Sequence, residues 1–360
     1  SDRVFAGSLT AFGSRTGVFP VGGHGTFDGV LLNSVSSPRI EGRFAGEHMR
    51  AFDVVWGTVT GSAVIENSYA DVSGAVITAG DSVIRTDGRF SLGFPRRDGG
   101  EEINARIQLS RRPLVHLRHA FELDDYDIDG LFSGEFHVFG AYLTPYGFGQ
   151  MTIAPGVAYG EPFESATSPI RLEGEGVRLD SLEIVRAAGR ASGAAWVGLN
   201  GTYSFNLDGR GIPVETVAMV TSTATPPLSG WFDFTAGGSG TFERPRYDVR
   251  GTISDFFIGD EGIGQVIGEL NIGADLLTLK LEAASPRLAV SGAGRIALTP
   301  TMDAELLFTV ADTSLDPYVR AFNAQLSPFT TAIASGNVHV VGQLANIDEL
   351  LVDATINSLD

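Results

Sequence analysis

The chain has no cysteine, a single lysine, and no run of apolar residues near the 18 that a membrane-spanning helix requires. The first absence removes disulfides, thiolate metal sites and cysteine nucleophiles together. The shortage of basic residues excludes more. With 25 basic against 43 acidic residues the formal charge is −18. Nucleic acid and anionic membrane surfaces both demand a basic footprint, so neither is expected as a partner. Short catalytic motifs are missing too: there is no G-x-S-x-G elbow, phosphate-binding loop, dinucleotide fingerprint or H-E-x-x-H pair. No signal peptide opens the sequence, so any anchor or export segment is expected outside it.

What is abundant is glycine, 46 residues in 360, spread along the edges of apolar runs as turns and bulges require. Between the glycines the pattern has period two. Ile103, Ala105, Ile107 and Leu109 alternate with polar residues, as do Tyr203, Phe205 and Leu207. The same holds for Tyr247, Val249, Gly251 and Ile253, for Leu277, Leu279, Leu281 and Ala283, and for Val352, Ala354 and Ile356. Strand side chains point alternately to two faces, so each run has one apolar and one solvated face. That predicts an all-β fold of antiparallel sheet wet on one side. Asn200-Gly201 and Asp208-Gly209 are both suited to tight hairpins. Helical signals are few: Leu114, Leu117 and Phe121 after Pro113; Leu315, Val319, Phe322 and Leu326; and a weaker stretch from Pro213 to Val220.

Three Gly-bounded strands share one pattern, at Gly7–Gly13, Gly134–Gly140 and Gly336–Gly342. Two follow a helical stretch ending in Ala120-Phe121 or Ala321-Phe322. The match extends backwards to Gly88-Arg89-Phe90 and Gly294-Arg295-Ile296, so a unit of about 200 residues repeats. The expected organisation is one continuous array over 1–360, with approximate units 1–87, 88–293 and 294–360. It resembles a piece of a longer chain.

Sites for chemistry are weak. Asp125-Tyr-Asp127-Ile-Asp129-Gly130 opens like a calcium loop, but Phe136 stands where the bidentate glutamate belongs, so a solvated acidic turn is expected. His116 and His119 lack a third ligand, and His137 and His339 should lie on the polar strand face. Asp260, Glu261 and Glu161 cannot be brought together from sequence. The expectation is a non-enzyme with no catalytic residue, no metal and no cofactor.

The positive signal is the apolar face itself. It comprises Phe132, Phe136 and Val138; Tyr203, Phe205, Phe232 and Phe234; Leu277, Leu279 and Leu281; and Phe308, Val338 and Val340. Either these residues are the core of a closed sandwich, or they line an open trough suited to acyl chains. Periodicity does not separate the two. The scarcity of helices or further layers to cover so much sheet favours the trough. A carbohydrate-binding repeat would instead cluster exposed aromatics on the polar face, where Trp231 stands alone.

Several stretches resemble the translocation and assembly module (TamB-type) proteins of the AsmA-like envelope group. These are Thr144-Pro-Tyr-Gly-Phe-Gly-Gln-Met151, Val157-Ala-Tyr-Gly-Glu-Pro-Phe163, Gly201-Thr-Tyr-Ser-Phe-Asn206, Glu282-Ala-Ala-Ser-Pro-Arg-Leu-Ala-Val-Ser-Gly292 and Asp312-Thr-Ser-Leu-Asp-Pro-Tyr318. The resemblance implies an elongated antiparallel repeat sheet curled into a U-shaped hydrophobic groove, with two or three short helices. It implies a periplasmic bridge, anchored in the inner membrane by a segment outside this sequence. Its partners would be phospholipid and, through regions outside this sequence, an outer-membrane barrel protein of the assembly-factor type. The two roles it implies are conduction of phospholipid acyl chains between membranes, or chaperone-like help in assembling outer-membrane proteins.

Overall fold

A computed structural model describes residues 3–8, 21–33, 37–93, 96–217, 227–241, 243–259, 261–273, 275–285, 288–314 and 332–359. The chain is nearly all β, in one long antiparallel sheet that is not closed. It divides into two compact units, residues 1–159, 163–182 and 196–201 against 160–162, 183–195 and 202–360. In the first unit the strands are β1 (Arg3–Ser8), β2 (Val21–Leu32), β3 (Arg39–Ala51), β4 (Val54–Glu66), β5 (Tyr69–Ala79), β6 (Ser82–Ser91) and β7 (Ile103–Pro113). After helix α1 (Leu114–Ala120) come β8 (Ile128–Gly140) and β9 (Pro145–Ala158), then the short β10 (Glu161–Phe163) and β11 (Ser165–Glu173). The division between units cuts through β12 (Gly176–Arg186) and β13 (Gly189–Gly198). The second unit continues with β14 (Thr202–Pro213), β15 (Leu228–Thr241), β16 (Arg244–Ile258), β17 (Glu261–Gly273) and β18 (Leu276–Ser285). It ends with β19 (Leu288–Ala297), β20 (Asp303–Ser314), β21 (Ile333–Gln343) and β22 (Leu351–Leu359).

Within each unit strands pair antiparallel with their neighbours in chain order, from β1 to β9 and from β14 to β22; β11 pairs with β9. Two-residue turns join β3 to β4, β4 to β5 and β5 to β6. Asn67 and Ser68 between β4 and β5 both take positive φ, 51° and 63°, the geometry that matches the right-handed twist of a hairpin. Asn200-Gly201 forms a turn as expected, with Gly201 at φ 78°. Asp208-Gly209 does not: it lies inside β14, and the ring of Phe234 occupies the space that a side chain at 209 would fill.

Bulges interrupt the strands of each unit, at the first three positions below in the first unit and the last three in the second. His48, Gly74, Arg111, Gly211, Asp255 and Asp312 each take a left-handed φ of 42° to 61°, and the pairing register slips at each. At four of them the N–H of the left-handed residue donates to a side-chain oxygen on the following strand. These are Gly74 to Asp87 Oδ1 at 2.6 Å, Arg111 to Ser133 Oγ at 2.9 Å, Gly211 to Asp233 Oδ1 at 2.7 Å and Asp312 to Ser335 Oγ at 2.8 Å. A bulge inserts one unpaired residue, bends its strand and sharpens the local twist. Here the freed N–H is satisfied, which offsets the cost of the distorted ladder.

Arg111, Gly211 and Asp312 are 100 and 101 residues apart, and Ser133, Asp233 and Ser335 are 100 and 102 apart. The bulge element therefore recurs at half the spacing of the expected 200-residue unit, and the stretch 88–293 holds two copies, at Arg111 and Gly211. The middle copy hides in the sequence because no Ala-Phe helix marks it. Only a 3₁₀ turn, Val214–Thr216, follows Pro213 where a helix to Val220 was expected; residues 218–220 lie outside the described ones. Two β-branched residues in three, with no apolar period, give a helix little to build on. The helix expected over Leu315–Leu326 also falls outside the described residues, as does most of Gly7–Gly13. Among the described residues α1 is the one α-helix, and no helix is long and apolar enough to cross a membrane.

Candidate functional site

Register places the sequence-derived apolar residues. In the first unit, Phe132 pairs with Ile153, Phe136 with Ile107 and Gly149, and Val138 with Ala105 and Gly147. Paired residues share a face, so these three stand together on the side that also holds Phe44, Ile77, Ile84 and Leu109. In the second unit Tyr203 and Phe205 pair with Gly240 and Gly238, Ile212 with Phe232, and Gly209 with Phe234. Continuing strand by strand, Val249 meets Leu270, Leu270 meets Leu279, Leu281 meets Gly292, Gly292 meets Phe308, Phe308 meets Val338 and Leu306 meets Val340. Leu277 joins them opposite Ile272 and Ile296. All ten expected residues of this unit lie on one continuous face. Val249 and Ile253, already in the alternating run, share this face, and the structure adds Val266, Leu270, Val290, Ile296, Leu306 and Val310.

Glycine shapes this face. Phe205 lies over Gly238, Phe234 over Gly209, Phe232 over Gly251, Phe308 over Gly292, and Phe136 over both Gly134 and Gly149. A Cβ at Gly251 or Gly292 would stand 2.6 Å from the nearest ring atom, inside van der Waals contact. The rings therefore lie flat on neighbouring strands and cover backbone. Neighbouring rings also stack: Phe132 on Phe136 at 5.8 Å, Phe232 on Phe234 at 5.4 Å, and Tyr203 on Tyr247 at 5.9 Å with their hydroxyls 2.7 Å apart. Most of the face is half-buried. Phe132, Val138 and Tyr203 are fully buried, as are Ile263, Ala283 and Leu288, which pack with Phe256, Val266 and Val290. A cavity of about 400 Å³ opens on the face, lined by Phe232, Val249, Ile253, Leu270, Leu281 and Phe308 among others.

The opposite face is polar and paired. Arg89 grips Asp71 through two hydrogen bonds of 2.7 and 3.0 Å and holds its carboxyl below the usual carboxylate range. Arg178 does the same to Glu173 at 2.9 Å. In the second unit Arg250 pairs with Glu269 at 2.8 Å and Arg295 with Glu305 at 2.7 Å. Such exposed pairs contribute little to stability, since water and salt screen them; they keep this face wet. Depressions of about 410 and 440 Å³ on this side are lined by side chains such as Arg85, Gln108 and Glu135, and Arg250, Glu269 and Lys280. His137 and His339 lie here, beside Asn104 at 3.0 Å and Glu305 at 3.7 Å. The sequence reading missed an aromatic group on this face: Tyr146 and Phe148, 53% and 59% exposed, with Phe139. Its signal is Tyr146-Gly-Phe148-Gly, where the glycines take the apolar side.

The weaker candidates separate. Glu161 pairs with Arg186 at 2.7 Å, Asp260 lies outside the described residues, and His119 meets Asp124 at 2.9 Å. Asp129 accepts from the N–H of Gly130, and no cluster of three or more His, Asp or Glu able to hold a metal occurs among the described residues.

The end of the first unit's apolar face differs from the rest. Arg112 on β7, 1% exposed, donates to the carbonyls of Val55 (2.9 Å) and Trp56 (3.4 Å) on β4, with its guanidinium 4.8 Å over the Trp56 ring. Helix α1 packs over this end against β4, β7 and β8.

Comparison with protein-family models, with curated proteins and with solved structures finds no match.

Proposed function

We propose that this chain is a non-enzymatic segment that carries acyl chains along a hydrophobic groove formed by its apolar face. The observation that carries the reading is the continuous face from β14 to β21, most of whose aromatic and aliphatic side chains stay half-buried, while the apolar residues of β22 are exposed. Apolar side chains at the centre of a sealed sandwich would be fully buried. Each methylene withdrawn from water onto such a face contributes about 0.8 kcal/mol, so a single acyl chain is held strongly without any polar contact.

Two observations support a curled sheet. Arg112 reaches the β4 backbone although β5 and β6 intervene, and three flat strand intervals would be about 14 Å. Phe232 on β15 and Phe308 on β20 line one cavity, although five flat intervals would be about 24 Å. The bulges supply the bending. In this reading phospholipid is the cargo, and a place between inner and outer membranes of a diderm envelope follows from the TamB-type resemblance.

The test is site-specific photo-crosslinking in the full-length protein. A photoreactive residue at Phe205 or Leu279 should yield lipid adducts, whereas one at Asn206 or Lys280, the adjacent polar positions, should not. Absence of adducts along the whole face would sink the reading.

A further inference from the structure

The recurring bulge provides an internal control. The residue after each left-handed position points to the apolar side and is buried: Arg112 at 1% exposure, Ile212 at 8% and Thr313 at 2%. Two copies fold around an aliphatic or a hydroxyl side chain, so the element does not require a cation. Arg112 nevertheless places one there. Guanidinium does not lose its proton in a protein, and among the described residues no carboxylate pairs with Arg112. Its two terminal nitrogens are engaged by the Val55 and Trp56 carbonyls, but its Nε–H meets no acceptor.

Two other buried polar groups on neighbouring elements lack a partner. His116, four residues on and in α1, has a buried Nδ1 without a partner, a donor in one tautomer. Burial, then the charge of Arg112, holds its imidazole below the ordinary range, with Asp129 opposing. Ser82 on β6, 3% exposed, has a hydroxyl without a partner. Register puts it beside the bulge, since Val83 pairs with Ser110 and Ser82 therefore comes level with Arg111. Buried polar groups are as a rule hydrogen-bonded, and buried charges paired. The free Nε–H of an unneutralised cation, a serine hydroxyl and an imidazole nitrogen that can donate call for one kind of group, an anion. The same end of the face carries Ile84, Phe132 and Ile153, where hydrocarbon fits.

We infer that Arg112, His116 and Ser82 seat the acidic headgroup, phosphate or carboxylate, of an amphiphile whose alkyl chain lies along the first unit's apolar face. The inference rests on the groove reading and deepens it from acyl-chain contact along the face to a seat for an acidic headgroup.

Calorimetric titration of the full chain tests it with three probes: dodecyl phosphate, dodecyl maltoside (equal tail, uncharged head) and inorganic phosphate. Dodecyl phosphate should bind at least about tenfold more tightly than either of the others. Arg112→Ile, which installs the middle copy's residue, and His116→Gln should each erase that margin and leave dodecyl maltoside unchanged. Circular dichroism checks folding, and His116→Gln carries the test if Arg112→Ile does not fold. Equal binding of dodecyl phosphate by wild type and folded variants overturns the headgroup seat while the groove stands. Inorganic phosphate binding as tightly as dodecyl phosphate overturns the amphiphile in favour of a free anion. If neither alkyl probe binds, the groove reading falls, and the amphiphile with it.

Discussion

Replacing Phe136 and Phe148 separately by alanine tests which side of β8 and β9 is the apolar one. The two rings sit on facing strands but on opposite faces. Phe136 is half-buried, covers Gly134 and Gly149, and stacks on Phe132 at 5.8 Å and 12°. Truncating a fully buried phenylalanine costs about 3–5 kcal/mol; half of that, with about 0.5–1 kcal/mol for the lost stack, gives roughly 2.5 kcal/mol. Phe148 is 59% exposed and touches the His137 ring edge-on at 5.5 Å, so its loss should cost about 0.5–1 kcal/mol. A chain of this length need not unfold in one step, so a local measure is the right one. Hydrogen exchange followed by mass spectrometry on β8 and β9 peptides reads it directly. Phe136→Ala should lower protection by about 50- to 100-fold, and Phe148→Ala by no more than about fivefold. Equal losses, or a larger one in Phe148→Ala, would refute both the face assignment and the role of ring-covered glycine.

Gly292→Val should destabilise by about 1–3 kcal/mol through overpacking against Phe308, and adding Phe308→Ala should relieve part of that. Strictly additive losses in urea denaturation would refute the contact. Tyr142, whose hydroxyl donates to the Ser91 carbonyl at 2.9 Å, has its pKa pushed up to about 12, by burial first and then by the charge of Glu102. An unfolded tyrosine ionises near 10, so the unfolded chain releases this proton first. Stability should then fall as pH rises from about 10 to 12. Tyrosinate absorbance should show a late-titrating group that Tyr142→Phe removes.

Alternation made much of this architecture readable. Period two placed β7, β14, β16, β18 and β22, and parity alone put thirteen apolar residues on the faces where the structure has them. What alternation cannot express is a residue that breaks it. In β14 the apolar positions run Tyr203, Phe205, Leu207 and Gly209, then jump to Ile212; in β7 they jump from Leu109 to Arg112, and in β20 from Val310 to Thr313. Strict parity would turn Arg111, Gly211 and Asp312 inward and leave Arg112 outside. The extra residue reverses that, and its signal is an oxygen on the next strand, Ser133, Asp233 or Ser335, which no local window contains. Asp208-Gly209 misled for a related reason. A glycine that seats a ring from the neighbouring strand looks, in one dimension, like a glycine that turns the chain.

Pairing in chain order has a kinetic consequence. All-β domains fold slowly when their strands must find partners far along the chain, because loop-closure entropy is lost before contacts form. Here, from β1 to β9 and from β14 to β22, each strand's partner is the one just completed, and β3 to β6 are joined by two-residue turns. The sheet can be laid down progressively, each finished hairpin offering its edge as the template for the next. Extension by further hairpins then lengthens the molecule without imposing any longer search on the strands already in place.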